Sequence, residues 1–290
     1  MEKWYDEKNL YSIKGKLKML DKILRFANTD ERVRMVAMNG LRTNDNAPKD
    51  AFQDYDIAFL VTDMASFLAD SHWIDIFGKR LIMQTPENMT LFPPELGGRF
   101  SYLMLFENGE RLDLMLIPIE EKQAYCHEDS LTQILLDKDE EISLTAPSDR
   151  DYWVKKPSAL EFGDCCNEFW WLTTYVAKGE ARAEALYALD HLASCRKMLR
   201  LMMTWRVGID TNFSCSVGKN EKYLARYVSK EWWSRLIATY QNPLHTKEAL
   251  EIMMTLFEEV TAQVAEKLAF SYDAQEFSAV RCYVMDVLKR

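Results

Sequence analysis

A chain of 290 residues that is 48% hydrophobic and 28% charged has the composition of a globular protein of one large or two ordinary domains. Its 10 Gly and 8 Pro exclude collagen-like and low-complexity material, and its apolar runs are too short to span a bilayer, so no membrane partner is expected. The net charge of −9 arises wholly in the first half: residues 1–145 carry 17 Lys and Arg against 26 Asp and Glu, while residues 146–290 carry 19 of each. Such a surface either serves solubility alone or attracts cations, and it disfavours a nucleic-acid partner. Six Cys, two of them adjacent (Cys165 and Cys166), do not resemble a disulfide framework, and MEKWYDEKNL lacks the apolar core of a signal peptide. A reducing, cytoplasmic setting is expected; nothing in the sequence sets an oligomeric state.

In chain order, Ile13, Leu17, Leu20, Ile23 and Leu24 recur at helical spacing and predict an amphipathic helix over 10–27. Val33–Met38 suits a buried strand, and the polar NGLRTNDNAPKDAFQ after it reads as a loop. DIAFLVT (56–62) is a strand, 64–77 one or two short helices, and 80–84 another short strand. FSYLMLF (100–106) and RLDLMLI (111–117) flank ENGE, whose Asn108-Gly109 tolerates positive φ and predicts a tight hairpin. DKDEE (137–141) reads as a solvated face or loop, and the polar PSDRDYWVKKPS (147–158) as a domain boundary. Beyond it helices are expected over 161–178, 181–206, 219–241, 247–268 and 275–289. The fold class is therefore α+β, a mixed sheet with flanking helices over 1–147 followed by an all-α bundle over 148–290.

The chemistry concentrates between Gly40 and Asp113. Asp54 and Asp56 are two apart at a strand start, so they project from one face. Asp113 interrupts an apolar strand, where an ionised carboxylate is costly unless paired or metal-bound. If the two strands are neighbours, three carboxylates converge and repel one another, a difficulty that hard divalent ions such as Mg²⁺ remove. Two such ions would clamp an in-line phosphoryl displacement. Upstream, the backbone N–H groups around Asn39-Gly40-Leu41-Arg42 suit phosphate oxygens, and Arg42 suits a charged one.

A strand, a Gly loop, D-x-D and a third Asp on a later strand resemble the nucleotidyltransferases of the DNA polymerase β type. Longer phrases, among them PKDAFQDYDI, WIDIFGKRLIMQ, LFPPELG, FSYLMLFENGERLDLMLIPIE, DYWVKKP, CCNEFWW and SVGKN, resemble the aminoglycoside 6-adenylyltransferases. The likeness reaches about residue 225 and thins thereafter. It implies transfer of AMP from ATP, the co-substrate, to the 6-hydroxyl of streptomycin, with release of pyrophosphate, by a nucleotidyltransferase domain and a helical substrate-binding domain. By the same resemblance Asp54 and Asp56 are metal ligands, of two Mg²⁺ ions. Asp113 is the third carboxylate, a metal ligand or the acceptor of the hydroxyl proton, with the base role favoured. Gly40, Leu41 and Arg42 match the phosphate-binding loop. The pattern has Ser where this chain has Leu41; a lost hydrogen bond to a charged group costs roughly 1.5–3 kcal/mol. Leu41→Ser is accordingly expected to lower the KM for ATP, with an unchanged KM counting against that contact.

The guanidinium groups of streptomycin call for carboxylates and aromatic faces. Asp164 and Glu168, four apart in a helix, share a face near Trp170 and Trp171, and Asp190 follows in the next helix. Lys219 and Lys222, after Ser216-Val217-Gly218, are candidates for the triphosphate. Each has a plain structural alternative: a helix-dipole partner, a core Trp, a solvated helix start. The rival functions are the same transfer to another aminoglycoside or a lincosamide, and a catalytically weakened binding protein.

Overall fold

A computed structural model describes residues 18–241 and 246–289. Its contacts divide the chain into two compact units, Met1–Asp151 and Tyr152–Arg290.

The first unit is a six-stranded mixed sheet with helices on both faces. Its elements are α1 (Met19–Thr29), β1 (Val33–Asn39), β2 (Tyr55–Val61), α2 (Met64–Ala69), β3 (Arg80–Gln84), β4 (Phe100–Phe106), β5 (Arg111–Pro118), α3 (Lys122–Glu128) and β6 (Gln133–Asp137). Strands lie in the order β3-β4-β5-β2-β1-β6, and β2 and β5 are parallel while every other pair is antiparallel. Helix α1 carries Met19, Ile23 and Ala27 into the core, and the part of the predicted helix before Lys18 lies outside the described residues.

β2 shows why this strand reads as one apolar run instead of an alternation. Ile57, Phe59 and Val61 face a cluster with Ile23, Phe67 and Phe77, while Ala58 and Leu60 face a second cluster with Met35, Tyr125 and Cys126 of the α3 side. Both faces are covered, so both parities are buried. Aromatic packing fastens the first face: Trp73 stacks on Phe26 at 5.1 Å and meets Phe67 edge-on at 4.9 Å.

The β4–β5 hairpin forms as expected around Gly109, whose φ is +82°. The Phe106 N–H donates to the Glu110 carbonyl at 2.9 Å, and the Gly109 N–H donates to the Phe106 carbonyl at 2.9 Å. β6 was not expected. Its apolar stretch is only Ile134-Leu135-Leu136, and DKDEE begins with its last residue, Asp137, so the charge after the strand hides it. It holds as an edge strand because it pairs with β1 and because the buried Lys122 ammonium donates to Asp137 at 2.7 Å.

The described residues of the second unit are all helix, turn and loop: α4 (Ala159–Ala181), α5 (Ala185–Asp210), α6 (Lys230–Ala238), α7 (Thr246–Leu268) and α8 (Ala274–Val287). α4 opens on a capping box, in which Ser158 Oγ accepts from the Glu161 N–H at 3.2 Å and the Ser158 N–H donates to Glu161 at 2.7 Å. Its core is stacked across helices, Phe169 on Phe257 at 3.8 Å and the buried Trp170 on Phe277 at 5.9 Å. Two boundaries differ from expectation. The α4–α5 break falls at 182–184, with Ala183 at φ +56°, because Gly179 is packed inside the helix and does not end it. The helix expected over 219–241 is broken into two short 3-10 turns and α6. Asn220 and Glu221 adopt positive φ of 55° and 54°, and Ser229 caps a fresh helix start.

Candidate active site

The site is assembled by the one parallel strand pair. β2 and β5 run in register with Asp56 opposite Asp113 and Tyr55 opposite Leu112. Residues opposite one another on adjacent strands share a face, so the two carboxylates stand side by side on the α3 side of the sheet. Asp54 lies two residues before Asp56 and joins the same side.

Electrostatics register this convergence. Burial, then the charges of Asp113 and Asp54, push the Asp56 carboxyl up to about 6. Burial raises Asp54 as well, opposed by Arg111 and assisted by Asp113. Arg111 is the cation that answers them: its Nε and Nη2 donate to the two oxygens of Asp113 at 2.8 and 2.7 Å, and its Nε stands 3.7 Å from Asp54. Among the described residues no three His, Cys, Asp or Glu side chains close into a metal-ligand set. The donor chemistry nevertheless fits a hard divalent ion: side-by-side carboxylates, one of them raised by burial and by its acidic neighbours.

Gly40 faces this cluster. Its φ is +76°, and a Cβ on it would lie 2.1 Å from Asp56 Oδ2, so the loop needs glycine both for its turn and for its approach to the carboxylate. The loop is held from behind. Tyr125 Oη donates to Asn39 Oδ1 at 2.5 Å, and Asn39 Nδ2 donates to Thr132 Oγ1 at 2.8 Å. Gln53 Nε2 donates to the carbonyls of Leu41 and Pro48, and Thr43 Oγ1 to that of Gly40. Arg42 turns to the chain itself. It donates to the carbonyls of Gln53 at 2.7 Å and Asp54 at 2.9 Å and stacks 3.6 Å over Tyr55. In this arrangement it ties the Gly loop to the D-x-D strand.

Asp56 and Asp113 form one end of a cavity of about 780 Å³, a size suited to a small-molecule ligand. The cavity is walled by Leu91, Phe92, Pro93, Pro94 and Leu96 of the Pro-rich loop, by Leu103 and Met115 of the sheet, and by Tyr125, Glu128 and Asp129. Arg99 crosses it, bound to Glu128 at 2.5 and 2.8 Å and to Glu121 at 2.7 Å. Sequence reasoning missed Arg111 and Tyr125 as site residues and took Asn39 only for its backbone in the Gly loop. Arg111 alone carried a local signal, being two residues from Asp113 on a strand.

The remaining candidates lie in the helical unit. Asp164 and Glu168 are exposed on α4, and Trp171, 57% exposed, and Tyr175 continue the same helix face. Trp171 Nε1 donates to Tyr175 Oη at 2.8 Å, and His191 lies 4.9 Å from the Tyr175 ring. Trp170 belongs to the core, so only one Trp of the pair is available to a ligand. Asp190 is exposed on α5. Lys219 and Lys222 are exposed beyond Gly218, with the Lys222 ammonium 5.2 Å over Tyr223.

A family model described as streptomycin adenylyltransferase matches residues 13–287. The chain is 48% identical over 265 residues to an aminoglycoside 6-adenylyltransferase of Bacillus subtilis (strain 168), covering 90% of this chain and 93% of that protein. It is likewise 48% identical to one of Campylobacter jejuni, covering 90% and 91%. The crystal structure of an aminoglycoside 6-adenyltransferase from Bacillus subtilis is 43% identical and aligns over 93% of this chain and 97% of that one, with a TM-score of 0.46. The proteins this chain matches are adenylyltransferases, a class of nucleotidyltransferase. The chain belongs to the streptomycin adenylyltransferase family.

Proposed function

We propose that this enzyme transfers AMP from ATP to the 6-hydroxyl of streptomycin in a Mg²⁺-dependent reaction that releases pyrophosphate. The observation that carries the reading is the in-register placement of Asp56 beside Asp113, facing Gly40, in a chain of this family. Asp54 and Asp56 would hold magnesium, which supplies charge neutralisation for the triphosphate and for the transition state. Asp113 takes the proton of the attacking hydroxyl. The hydroxyl oxygen forms its bond to the α-phosphorus as the bond from that phosphorus to the bridging oxygen breaks, and pyrophosphate leaves with the electron pair. Backbone N–H groups around Gly40 and Leu41 cradle phosphate oxygens.

The first unit is the nucleotidyltransferase domain and the helical unit supplies acceptor-binding residues. Asp164 and Glu168 would pair with guanidinium groups over the Trp171 ring, Asp190 would add a further carboxylate, and Lys219 and Lys222 would answer the triphosphate. A reducing, cytoplasmic location suits six free cysteines, four of them buried. Pyrophosphate release with ATP, Mg²⁺ and streptomycin tests the reading. Turnover with streptomycin and a singly adenylylated product support it. Turnover only with other aminoglycosides or a lincosamide moves the acceptor, and none with any acceptor leaves a binding protein.

A further inference from the structure

We infer that Arg111 is a built-in counter-cation of the catalytic carboxylates, and that a divalent ion at Asp113 binds in competition with it. This rests on the metal reading proposed above and extends it to Asp113 as a third ligand in the nucleotide-free chain. Arg111 and Asp113 are two apart on β5 and therefore share a face. The parallel register that sets Asp113 beside Asp56 sets Arg111 toward Asp54. The guanidinium takes one oxygen of Asp113 with Nε and the other with Nη2, at 2.8 and 2.7 Å, so one lone-pair direction on each oxygen is occupied and a full positive charge stands against the carboxylate. A metal ion drawn to Asp113 meets that charge and competes with it for the same oxygens.

The exchange is mechanically easy. The Arg111 side chain is 45% exposed, at the open end of the strand, and a solvated ion pair is a weak tether. Three carboxylates against one guanidinium leave two negative charges, the charge that one divalent ion cancels. With the pair made, the cluster is partly compensated and the strands can pack. With the ion bound, Arg111 swings into solvent and Asp113 is released. Arg111 is thus a positioning residue acting through Asp113.

The test is Mn²⁺ binding to the full chain without nucleotide, followed calorimetrically and by the loss of free-ion paramagnetic signal. R111Q should bind Mn²⁺ about five- to tenfold more tightly than wild type, since it removes a competitor whose exposed bidentate pair is of that order. R111K, which keeps the charge but not the fork, should fall between them and serves if R111Q does not fold. The gain should vanish in a D113N background, and Mn²⁺ should raise the Tm of R111Q more than that of wild type. Equal or weaker Mn²⁺ binding by both Arg111 variants, with wild type binding normally, overturns the competition. Binding by none of them, or binding untouched by D56N, overturns the metal reading itself.

Discussion

Asp56 is the residue at which burial, charge and chemistry meet. Its carboxyl is raised from 3.8 to about 6, so the folded chain keeps this proton to higher pH than the unfolded chain does. Stability from this group is therefore present at pH near 4 and is lost as the pH rises toward and through 6, because the folded state holds the proton that the unfolded state has released. Asp56→Asn is expected to remove that slope in the metal-free protein and to stabilise it by about 1–2 kcal/mol at pH 7, after allowance for solvent screening. Thermal melts of both proteins in EDTA between pH 4.5 and 7.5 check this; parallel curves would show that Asp56 is not held near neutrality. Tyr125 supports the same loop from the other side. Removing its hydroxyl frees Asn39 Oδ1, so Tyr125→Phe should raise the KM for ATP severalfold with a smaller effect on kcat. Lost hydrogen bonds of this kind are worth about 0.5–1.5 kcal/mol. Steady-state kinetics separate the two parameters, and a fall in kcat alone would contradict a role in holding the loop.

Elements differ in how plainly they announce themselves. The β4–β5 hairpin was legible because Asn108-Gly109 states its own turn geometry. D-x-D was legible because two-residue spacing on a strand fixes a shared face. The adjacency of β2 and β5 was not, since they are separated by three helical segments and two strands, and parallel pairing leaves no local mark. Asp113 stood out as a charge inside an apolar strand, and the register places it, and no neighbour on β5, beside Asp56. β6 and the broken 219–241 segment went unread for opposite reasons, a strand too short to show periodicity and a helical pattern overruled by two positive-φ residues. The roles of Arg42 and Arg111 were illegible because a guanidinium's partner is chosen by tertiary placement. Helix α4 offers a test at this scale: Ser158→Ala removes one side of the capping box and should cost about 1 kcal/mol of stability. Chemical denaturation should show a lower midpoint with an unchanged slope, and an unchanged midpoint would mean that Glu161 and solvent hold the helix start unaided.

Across the whole chain, acidity and architecture divide together. The acidic excess falls in the half that holds the sheet, where carboxylates are gathered for chemistry and Arg99 and Arg111 are tied to carboxylates. The helical half is electrically balanced and exposes an acidic and aromatic face on α4. Under the proposed function the first half would hold the triphosphate and the second would offer negative charge to a cationic acceptor. The decisive measurement is adenylylation of streptomycin, followed by product mass and pyrophosphate release, in wild type, Asp56→Asn and Asp113→Asn under saturating Mg²⁺ and ATP. Wild type should turn over, and each variant should lose at least about a thousandfold in kcat while retaining its cooperative melt, the scale expected when charge placement at the reacting atoms is lost. Near-normal turnover by either variant would contradict the assignment of these two carboxylates as the catalytic centre.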